Sequence, residues 1–226
     1  AGVELILHEE SVYPKLLKET HFPPFGLYIK GRLPSSEHSV AIVGTRKATA
    51  EGKESAREFG RELAEAGCMI ISGLALGIDA MGHKGALDGK GVTVAVLANG
   101  LDHIYPATNA SLAEEIVRQN GALISEYPLG SPSLPYRFLE RNRIVSGLSK
   151  GVLIIEAPSR SGTIATARFA LEENRDVFVI PGPVRHSNFT GSHELIKQGA
   201  SLVTTASDIL SVVGIASEKQ PDTQNL

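Results

Sequence analysis

The stretch Val40-Ala-Ile-Val-Gly-Thr-Arg46 carries four consecutive apolar residues into a glycine turn and an arginine. An uninterrupted apolar run of this length is typical of a strand that is buried on both faces of a parallel sheet. Beyond the turn, Thr49 can cap a helix with one apolar face, which is formed by Ala56, Phe59, Leu63 and Ala66. The turn brings backbone N–H groups, a positive helix end and the Arg46 guanidinium to one edge of a sheet. That edge is suited to an anion such as phosphate.

The same alternation of apolar runs and helical segments continues along the chain. It predicts strands at 40–43, 69–72, 92–97, 122–125, 152–155, 177–180 and 201–204. It predicts helical segments at roughly 52–66, 79–88, 109–120, 138–149, 163–174 and 191–198. Strands that alternate with helices of this size indicate an α/β fold with a doubly wound, mostly parallel sheet flanked by helices. Right-handed crossovers then place the carboxyl ends of the strands along one edge of that sheet.

Composition divides the chain into three parts. Residues 1–39 hold a short strand at 27–31 and much of the aromatic content, so we expect an N-terminal lead-in that docks on the core through its aromatic side chains. Residues 40–213 are the expected Rossmann-like core. Residues 214–226 are polar and are expected to form a disordered tail.

Length, charge and cysteine content exclude several classes of protein. A chain of 226 residues with 42% hydrophobic content can bury one sizeable α/β core. A single cysteine excludes an internal disulfide and a cysteine-rich zinc site. The net charge of −3 argues against a globally basic nucleic-acid binder, so any nucleic acid must be held by a local patch. Without an apolar run of membrane-spanning length or a secretion signal, the expected location is the cytoplasm.

Four predicted strands end in segments that could hold a phosphate. They are Gly44-Thr45-Arg46, the loop Ser72–Ala80, the segment Ala98–Asp102 and the turn Ser159–Thr163. Because the carboxyl ends of parallel strands meet at one edge, these turns are expected to lie around one crevice. Tight packing between strand and helix also explains glycines at such turns, so each motif alone is weak. Together they favour a nucleotide or a phosphate chain.

Well-known phosphate and catalytic motifs are absent from the sequence. There is no G-x-x-x-x-G-K-[ST], which disfavours a P-loop triphosphatase. The first turn lacks the later glycines of G-x-G-x-x-G, the fingerprint of dinucleotide binding. Neither G-x-S-x-G nor H-E-x-x-H occurs. No catalytic residue, cofactor or metal is therefore expected.

The segment Pro135–Arg143 concentrates cations and aromatic rings at a predicted helix start. Arg137, Arg141 and Arg143 could contact phosphates, and Phe138 could face a base. The alternative is structural: the arginines could pair with Glu140 or Asp102, and Phe138 could lie in the core. The sequence leaves both open.

A second group of cations lies on the helix that follows Arg46. Lys53, Arg57 and Arg61 recur every fourth residue, beside a matching series of glutamates. A solvated surface on which these charges pair with one another is the favoured interpretation. Lys53, which is nearest the helix start, could nevertheless extend the patch around Arg46.

These motifs together resemble the DNA-processing protein A family (DprA, also called Smf). The matching segments, in family order, are Ala41–Arg46, Ser72–Ala80, Leu97–Asp102 with Tyr105-Pro106, Ser125–Pro128, Phe138–Ser149, Ile155–Ala157 with Ser161–Thr163, and Pro181-Gly182. The resemblance implies an extended Rossmann-like domain that binds single-stranded DNA without catalysis. It further implies a role in DNA uptake during natural transformation, the loading of RecA onto single-stranded DNA, displacement of single-strand-binding protein, and a homodimer.

By this resemblance Arg46 binds a phosphate, and the residues around Arg137 and Phe138 complete the pocket. The interpretation requires loops that are remote in sequence to form one electropositive notch around Arg46. It fails if Arg46 and Arg137 lie on opposite sides of the molecule or if either is buried in a carboxylate pair. The full set of residues predicted to contact DNA or phosphate is Gly44, Thr45, Arg46, Lys53, Gly73, Leu74, Ala75, Gly77, Asn99, Gly100, Arg137, Phe138, Arg141, Asn142, Arg143, Ser161, Gly162 and Thr163.

Two alternatives use the same crevice. The segment Ser159–Thr166 is similar to the Gly-Gly-x-Gly-Thr-x-x-Glu turn of nucleoside-monophosphate phosphoribohydrolases, but Thr166 stands where that turn has its catalytic glutamate. Ser159 and Ser161 also replace two of its glycines. The other alternative is a nucleotide sensor without catalysis.

Overall fold

The computed structural model describes residues 2–215. The strands are β1 (Val3–Leu7), β2 (Gly26–Gly31), β3 (Ser39–Gly44), β4 (Met69–Ser72), β5 (Thr93–Val96), β6 (Ala122–Ser125), β7 (Gly151–Ile155), β8 (Asp176–Val179) and β9 (Ser201–Leu202). The helices are α1 (Lys15–Lys18), α2 (Ala50–Glu65), α3 (Ile78–Asp88), α4 (Ala110–Arg118), α5 (Pro135–Gly147), α6 (Gly162–Glu172), α7 (Thr190–Lys197) and α8 (Ala206–Val213).

All nine strands join one sheet in the order β1-β2-β6-β5-β4-β3-β7-β8-β9. Strands β3 to β9 pair in parallel, and β1 and β2 add an antiparallel edge. Successive strands run outward from β3 in one direction through β4 and in the other through β7. The point where the order reverses lies between β3 and β7, and ligands of such sheets bind outside the strand ends there. The predicted doubly wound fold is confirmed.

The first predicted strand is buried on both faces, as its apolar run requires. Ala41 and Val43 pack in the cluster that includes Ile144 of α5 and Ala167 of α6. Val40 and Ile42 pack in the opposite cluster, against α2 and α8. Successive side chains of a strand point to opposite faces, so a run without polar interruption fits only a sheet covered by helices on both sides.

The N-terminal segment is joined to the core by backbone pairing as well as by aromatic side chains, since Tyr13 and Tyr28 pack in or against core clusters. β2 pairs antiparallel with β6, and β1, which the sequence interpretation missed, pairs with β2. Tyr13 is buried and its hydroxyl donates to the Pro24 carbonyl (2.7 Å), but Phe22 and Phe25 are exposed. The ladder to β6 makes this segment the edge of the same sheet.

Apart from two helices that were not predicted, α1 and α8, the remaining differences are at element ends. α5 begins at Pro135 rather than at 138, because proline is well suited to the first position of a helix. β9 is shorter than expected, since the chain turns into α8, which the sequence interpretation also missed. α8 begins at a capping box between Thr205 and Asp208 and ends at the left-handed Gly214. Of the predicted tail, residues 216–226 lie outside the described residues.

No helix among residues 2–215 combines the length and the apolar character needed to cross a bilayer. The same part of the chain has no group of three or more histidine, cysteine, aspartate or glutamate side chains arranged to hold a metal ion.

Candidate nucleic-acid interface

A crevice of about 530 Å³ opens at the carboxyl edge of the sheet, where the strand order reverses. Its walls come from the turn after β3, the start of α5 and the turn between β7 and α6. The predicted site residues that line it are Gly44, Thr45, Arg46, Ala75, Phe138, Arg141, Asn142, Ser161, Gly162 and Thr163. Segments that are more than a hundred residues apart in sequence thus meet around one opening, as the strand-end argument predicts.

Arg46 presents a free cation on an aromatic surface. Its guanidinium carbon lies 5.1 Å from the centre of the Phe138 ring, and that ring lies 5.5 Å from the ring of Tyr105. Arg46 is exposed, and no carboxylate in residues 2–215 lies within ion-pair distance of it. A planar cation stacked on a ring keeps its N–H groups free for a phosphate.

The N-terminus of α2, which the sequence suggests as part of the anion site, is already occupied by a carboxylate of the protein. Buried Glu156 accepts hydrogen bonds from the Thr49 backbone N–H (3.0 Å) and from the Thr49 hydroxyl. The Thr49 hydroxyl oxygen in turn accepts from the Gly52 N–H (3.0 Å). Because the helix end already has its negative partner, an external anion gains little there. This part of the prediction is wrong.

The N-terminus of α6 is open instead. Ser161 is its N-cap residue, yet its side chain makes no capping hydrogen bond, and its buried Oγ has no partner among the described residues. Ser161, Gly162 and Thr163 all line the crevice. Unsatisfied N–H groups and the helix dipole favour an anion at this position.

Arg141 forms part of the crevice floor and is buried. Its guanidinium donates to the carbonyls of Gly73 (2.7 Å) and Val96, and its Nε has no partner among residues 2–215. Burial lowers the pKa of Arg141 to about 10, so the side chain stays cationic at neutral pH. The expected alternative, a pair with Glu140 or Asp102, is not formed.

Buried Asp79 faces the same crevice and closes the loop before α3. Its carboxylate accepts from the Gly73 N–H (3.1 Å), and burial raises its pKa, an effect that the charge of Arg141 opposes. Gly73 has no room for a side chain, because a Cβ there would meet the Arg141 guanidinium. The Gly73 N–H and carbonyl are therefore bonded to Asp79 and Arg141 rather than to a ligand.

Two other predicted residues of this loop do not line the crevice. Leu74 is fully buried, and its carbonyl accepts from Asn109 Nδ2 (2.8 Å). Gly77 has a φ of +79° and packs against the backbone of the Thr45 turn. A side chain at Gly77 would be strained for both reasons, so its glycine is explained by packing.

The turn after β5 is also closed on itself. Asn99 is buried and its Nδ2 donates to the carbonyls of Gly100 (2.9 Å) and His103 (2.7 Å). The Gly100 N–H donates to the Ser131 carbonyl (3.0 Å). Neither residue lines the crevice. Of the four strand-end turns that were expected to surround it, only those after β3 and β7 do so as expected.

Three predicted cations also lie away from the crevice. Arg137 donates to the Pro132 carbonyl (2.8 Å), stacks 4.5 Å from the Tyr127 ring and does not line the crevice, although the next residue, Phe138, contacts Arg46. Arg143 pairs with Glu126. Lys53 is exposed on α2, where Arg57 and Arg61 pair with Asp88 and Glu65.

Lys47, Tyr105 and Arg160 line the crevice but were missing from the predicted set. Lys47 follows Arg46 directly, and Arg160 stands inside the Ser159–Thr163 turn, so neighbouring sequence could have found both. Tyr105 lies in the loop after β5, and its ring contacts Phe138 of α5 at the crevice. Only the tertiary structure shows this contact.

A comparison with protein-family models decides the family. The model described as DNA recombination-mediator protein A matches residues 4–214. The chain belongs to this family.

Curated relatives agree with the family match. The chain is 46% identical to Protein Smf of Escherichia coli over 219 residues, which cover 96% of this chain and 59% of that protein. It is 40% identical to DNA processing protein DprA of Bacillus subtilis, covering 92% of this chain and 70% of that protein. The chain thus spans little more than half of the first of these DprA/Smf proteins.

Solved DprA structures share the fold closely. DprA of Streptococcus pneumoniae has a TM-score of 0.86 and 38% identity, with 92% of this chain and 73% of that chain covered. DNA processing protein A of Helicobacter pylori, whose structure concerns its single-stranded DNA binding mode, has a TM-score of 0.83 and 33% identity over 93% and 95%. The molybdenum cofactor carrier protein of Chlamydomonas reinhardtii, at 18% identity, 79% and 96% coverage and a TM-score of 0.51, shares the fold alone.

Proposed function

We propose that this chain binds single-stranded DNA in the crevice at the β3–β7 edge, as a recombination mediator of the DprA type. One observation carries the proposal: exposed Arg46 and the open N-terminus of α6 line the same crevice. An exposed cation without a carboxylate partner among residues 2–215 and an uncapped helix end line one opening, with Phe138 and Tyr105 beside them. Cations and N–H groups for phosphates, next to flat faces for bases, suit a single strand.

The charge distribution supports a local site on an acidic protein. The whole chain carries a net charge of −3, whereas Arg46, Lys47, Arg141 and Arg160 all line the crevice. Asp79 is the one acidic residue in that lining, and it is buried against backbone N–H groups. Contacts of this kind are made to phosphates, so the expected binding depends little on base sequence.

The DprA/Smf resemblance extends the proposal to partners. We propose that the DNA-bound protein loads RecA recombinase onto the strand in the cytoplasm, displacing single-strand-binding protein, and works as a homodimer during DNA uptake. The family match and the Helicobacter pylori relative support the DNA-binding step. Pull-down of RecA with and without bound DNA tests the second step separately.

Titration of labelled single-stranded and double-stranded oligonucleotides, followed by fluorescence anisotropy, tests the binding proposal. We expect tighter binding of the single strand and an affinity that falls steeply with salt, since bound cations release counterions from the DNA. Equal affinity for both forms, or a salt-independent binding curve, would contradict the crevice as a phosphate site.

The enzyme alternative is disfavoured by the residue at the expected catalytic position. Thr166 lines the crevice but is buried, and its hydroxyl donates to the Gly162 carbonyl (3.3 Å) within α6. A hydroxyl without a neighbouring general base does not supply the carboxylate chemistry of that turn. Incubation with nucleoside monophosphates should release no free base, and competition by free nucleotide against DNA tests the sensor alternative.

A further inference from the structure

The loop between β8 and α7 contacts Lys47 at the rim of the crevice, and the sequence assigns it no role beyond the matching Pro181-Gly182 segment. A turn is closed by a hydrogen bond from the His186 N–H to the Pro183 carbonyl (3.0 Å). Val184 and Arg185 occupy the corners of that turn, and both are exposed. In the part of the chain that the structure describes, no carboxylate lies within ion-pair distance of Arg185.

This loop is bound directly to the two turns that form the crevice. Asn188 Nδ2 donates to the Lys47 carbonyl (3.0 Å) and to the Glu156 carboxylate (2.8 Å). The Ser159 N–H donates to the Thr190 hydroxyl (3.1 Å), next to Arg160. Asn188 is three positions after Arg185, so their Cα atoms are at most about 11 Å apart. Arg185 therefore belongs to a loop whose Asn188 contacts Lys47 at the rim of the crevice.

Buried contacts fix the base of this loop, so the Pro183–His186 turn at its tip has a defined position. Phe189 is buried and packs on Gly182, where an added Cβ would meet the ring. His193 Nε2 lies 3.1 Å from the Gly182 carbonyl, and the His186 ring meets the edge of Phe189. Ordering of the base lowers the conformational cost of binding through the tip.

Some arginines on other surfaces of the protein are paired with carboxylates, although exposed Lys53 on α2 and Arg168 on α6 are not, within the described part of the chain. Arg57 pairs with Asp88, Arg61 with Glu65, and Arg118 with Glu115. Arg46, Lys47, Arg160 and Arg185 lie at one edge of the sheet and have no such partner within residues 2–215. A group of cations without carboxylate partners, some of which lie beyond a phosphate site, fits a phosphate chain longer than the site itself.

We propose that the bound strand leaves the crevice over Lys47 and crosses the Pro183–His186 turn, where Arg185 contacts a further phosphate. This inference rests on the proposed DNA binding and extends its footprint. The crevice, at about 530 Å³, holds only a small part of a strand, so the following nucleotides must cross its rim. Val184 adds an apolar surface for a base at the same turn.

Arg185→Ala tests this path with two oligothymidylates, one of about 4 and one of about 16 nucleotides, which span the usual range of single-strand site sizes. The affinity for the long oligonucleotide should fall about fourfold at physiological salt, and the salt slope should shrink by about 0.7, the value of one lost phosphate contact. The affinity for the short oligonucleotide should fall less, because its few nucleotides occupy the crevice first and extend little beyond it.

Arg118→Ala is the matched control, since it removes the same charge from an exposed position. Arg118 lies on α4, outside the crevice and the β8–α7 loop, and is paired with Glu115. This variant should alter the affinity for neither oligonucleotide. Wild-type affinity and salt slope of Arg185→Ala on the long oligonucleotide would overturn the proposed path, as would an equal loss on both lengths. If Arg46→Ala still weakens binding in that case, the crevice stands and only the path fails. If Arg46→Ala binds like wild type, the proposed function itself fails.

Discussion

Two helix N-termini face the same edge of the sheet, and they differ in what occupies them. At α2, Thr49 and the buried carboxylate of Glu156 take up the terminal N–H groups. At α6, Ser161 makes no cap, and its hydroxyl lies buried without a partner among the described residues. Both follow a turn that contains glycine or serine and a cation, so their local sequences are alike. The difference teaches that a helix end becomes an anion site only when no neighbouring element supplies a carboxylate.

The largest expected effect comes from Arg46→Ala, which removes the free cation beside the open helix end. Loss of a charge-assisted phosphate contact should weaken single-stranded DNA binding by about thirtyfold, or about 2 kcal/mol. Fluorescence anisotropy at fixed salt measures the change, with circular dichroism to confirm the fold. Because Arg46 is exposed, the free energy of unfolding of the variant should equal that of the wild type. Normal DNA binding by this variant would show that the open end of α6 and Arg46 do not form the binding site.

The Ser161→Asp substitution should make the α6 terminus resemble that of α2. An aspartate at the N-cap satisfies the open N–H groups and should stabilise the protein by about 0.5–1 kcal/mol. The same carboxylate repels phosphate from the crevice and should reduce DNA affinity by about tenfold. Thermal denaturation and anisotropy on the same sample give the two values. Retained DNA affinity in the stabilised variant would show that α6 is not part of the binding site.

The reverse change at α2 is Glu156→Gln, which removes the internal anion while keeping the side-chain size. Asn188 and Thr49 both donate to this carboxylate, so an amide N–H there faces other donors. We expect a loss of about 1–2 kcal/mol in the free energy of unfolding, seen as a Tm lower by about 3–6 °C. Ser55→Ala, a half-buried polar position farther along the same helix, serves as the control and should change Tm much less. An unchanged Tm in Glu156→Gln would mean that the α2 terminus does not need its carboxylate.

The smallest effect is expected from Lys53→Ala. Lys53 lies on α2, beyond the occupied terminus, and does not line the crevice. DNA affinity should change by less than about twofold, as for a distant exposed charge screened by salt. The direct comparison with Arg46→Ala under the same conditions separates the two cations. A loss of similar size in both variants would extend the site along α2.

Most of the fold could be predicted from local pattern, and the exceptions have physical causes. The buried run Val40–Val43 and its repeats along the chain specify a parallel sheet, because only such strands are apolar on both faces. β1 was missed because its residues alternate irregularly at an edge, with Leu5 and Leu7 exposed. α8 was missed although its capping box at Thr205 and Asp208 is visible in the sequence.

The site was predicted in outline but not in its partners. Arg46, Phe138 and the Ser161–Thr163 turn were identified from motifs, and all of them line the crevice. Arg137 and Arg141 stand four residues apart on one helix, and their sequence context gives no reason to separate them. Arg141 turns inward to carbonyls of the neighbouring strand ends, while Arg137 stacks on Tyr127 outside. The two residues share a helix face, so their position along the helix decides this: Arg141 is one turn further in, where α5 passes the carbonyls of Gly73 and Val96.

The sequence by itself determined that this chain forms a doubly wound sheet whose glycine turns and cations gather at one edge, because strand burial and turn chemistry depend on neighbouring residues. Only the tertiary structure decided which of those cations remain free. Glu156 reaches α2 from 107 residues away, and Asp79 satisfies the loop before α3. Pairing of charges and helix ends depends on distance in space, and the local pattern of residues carries no information about that distance.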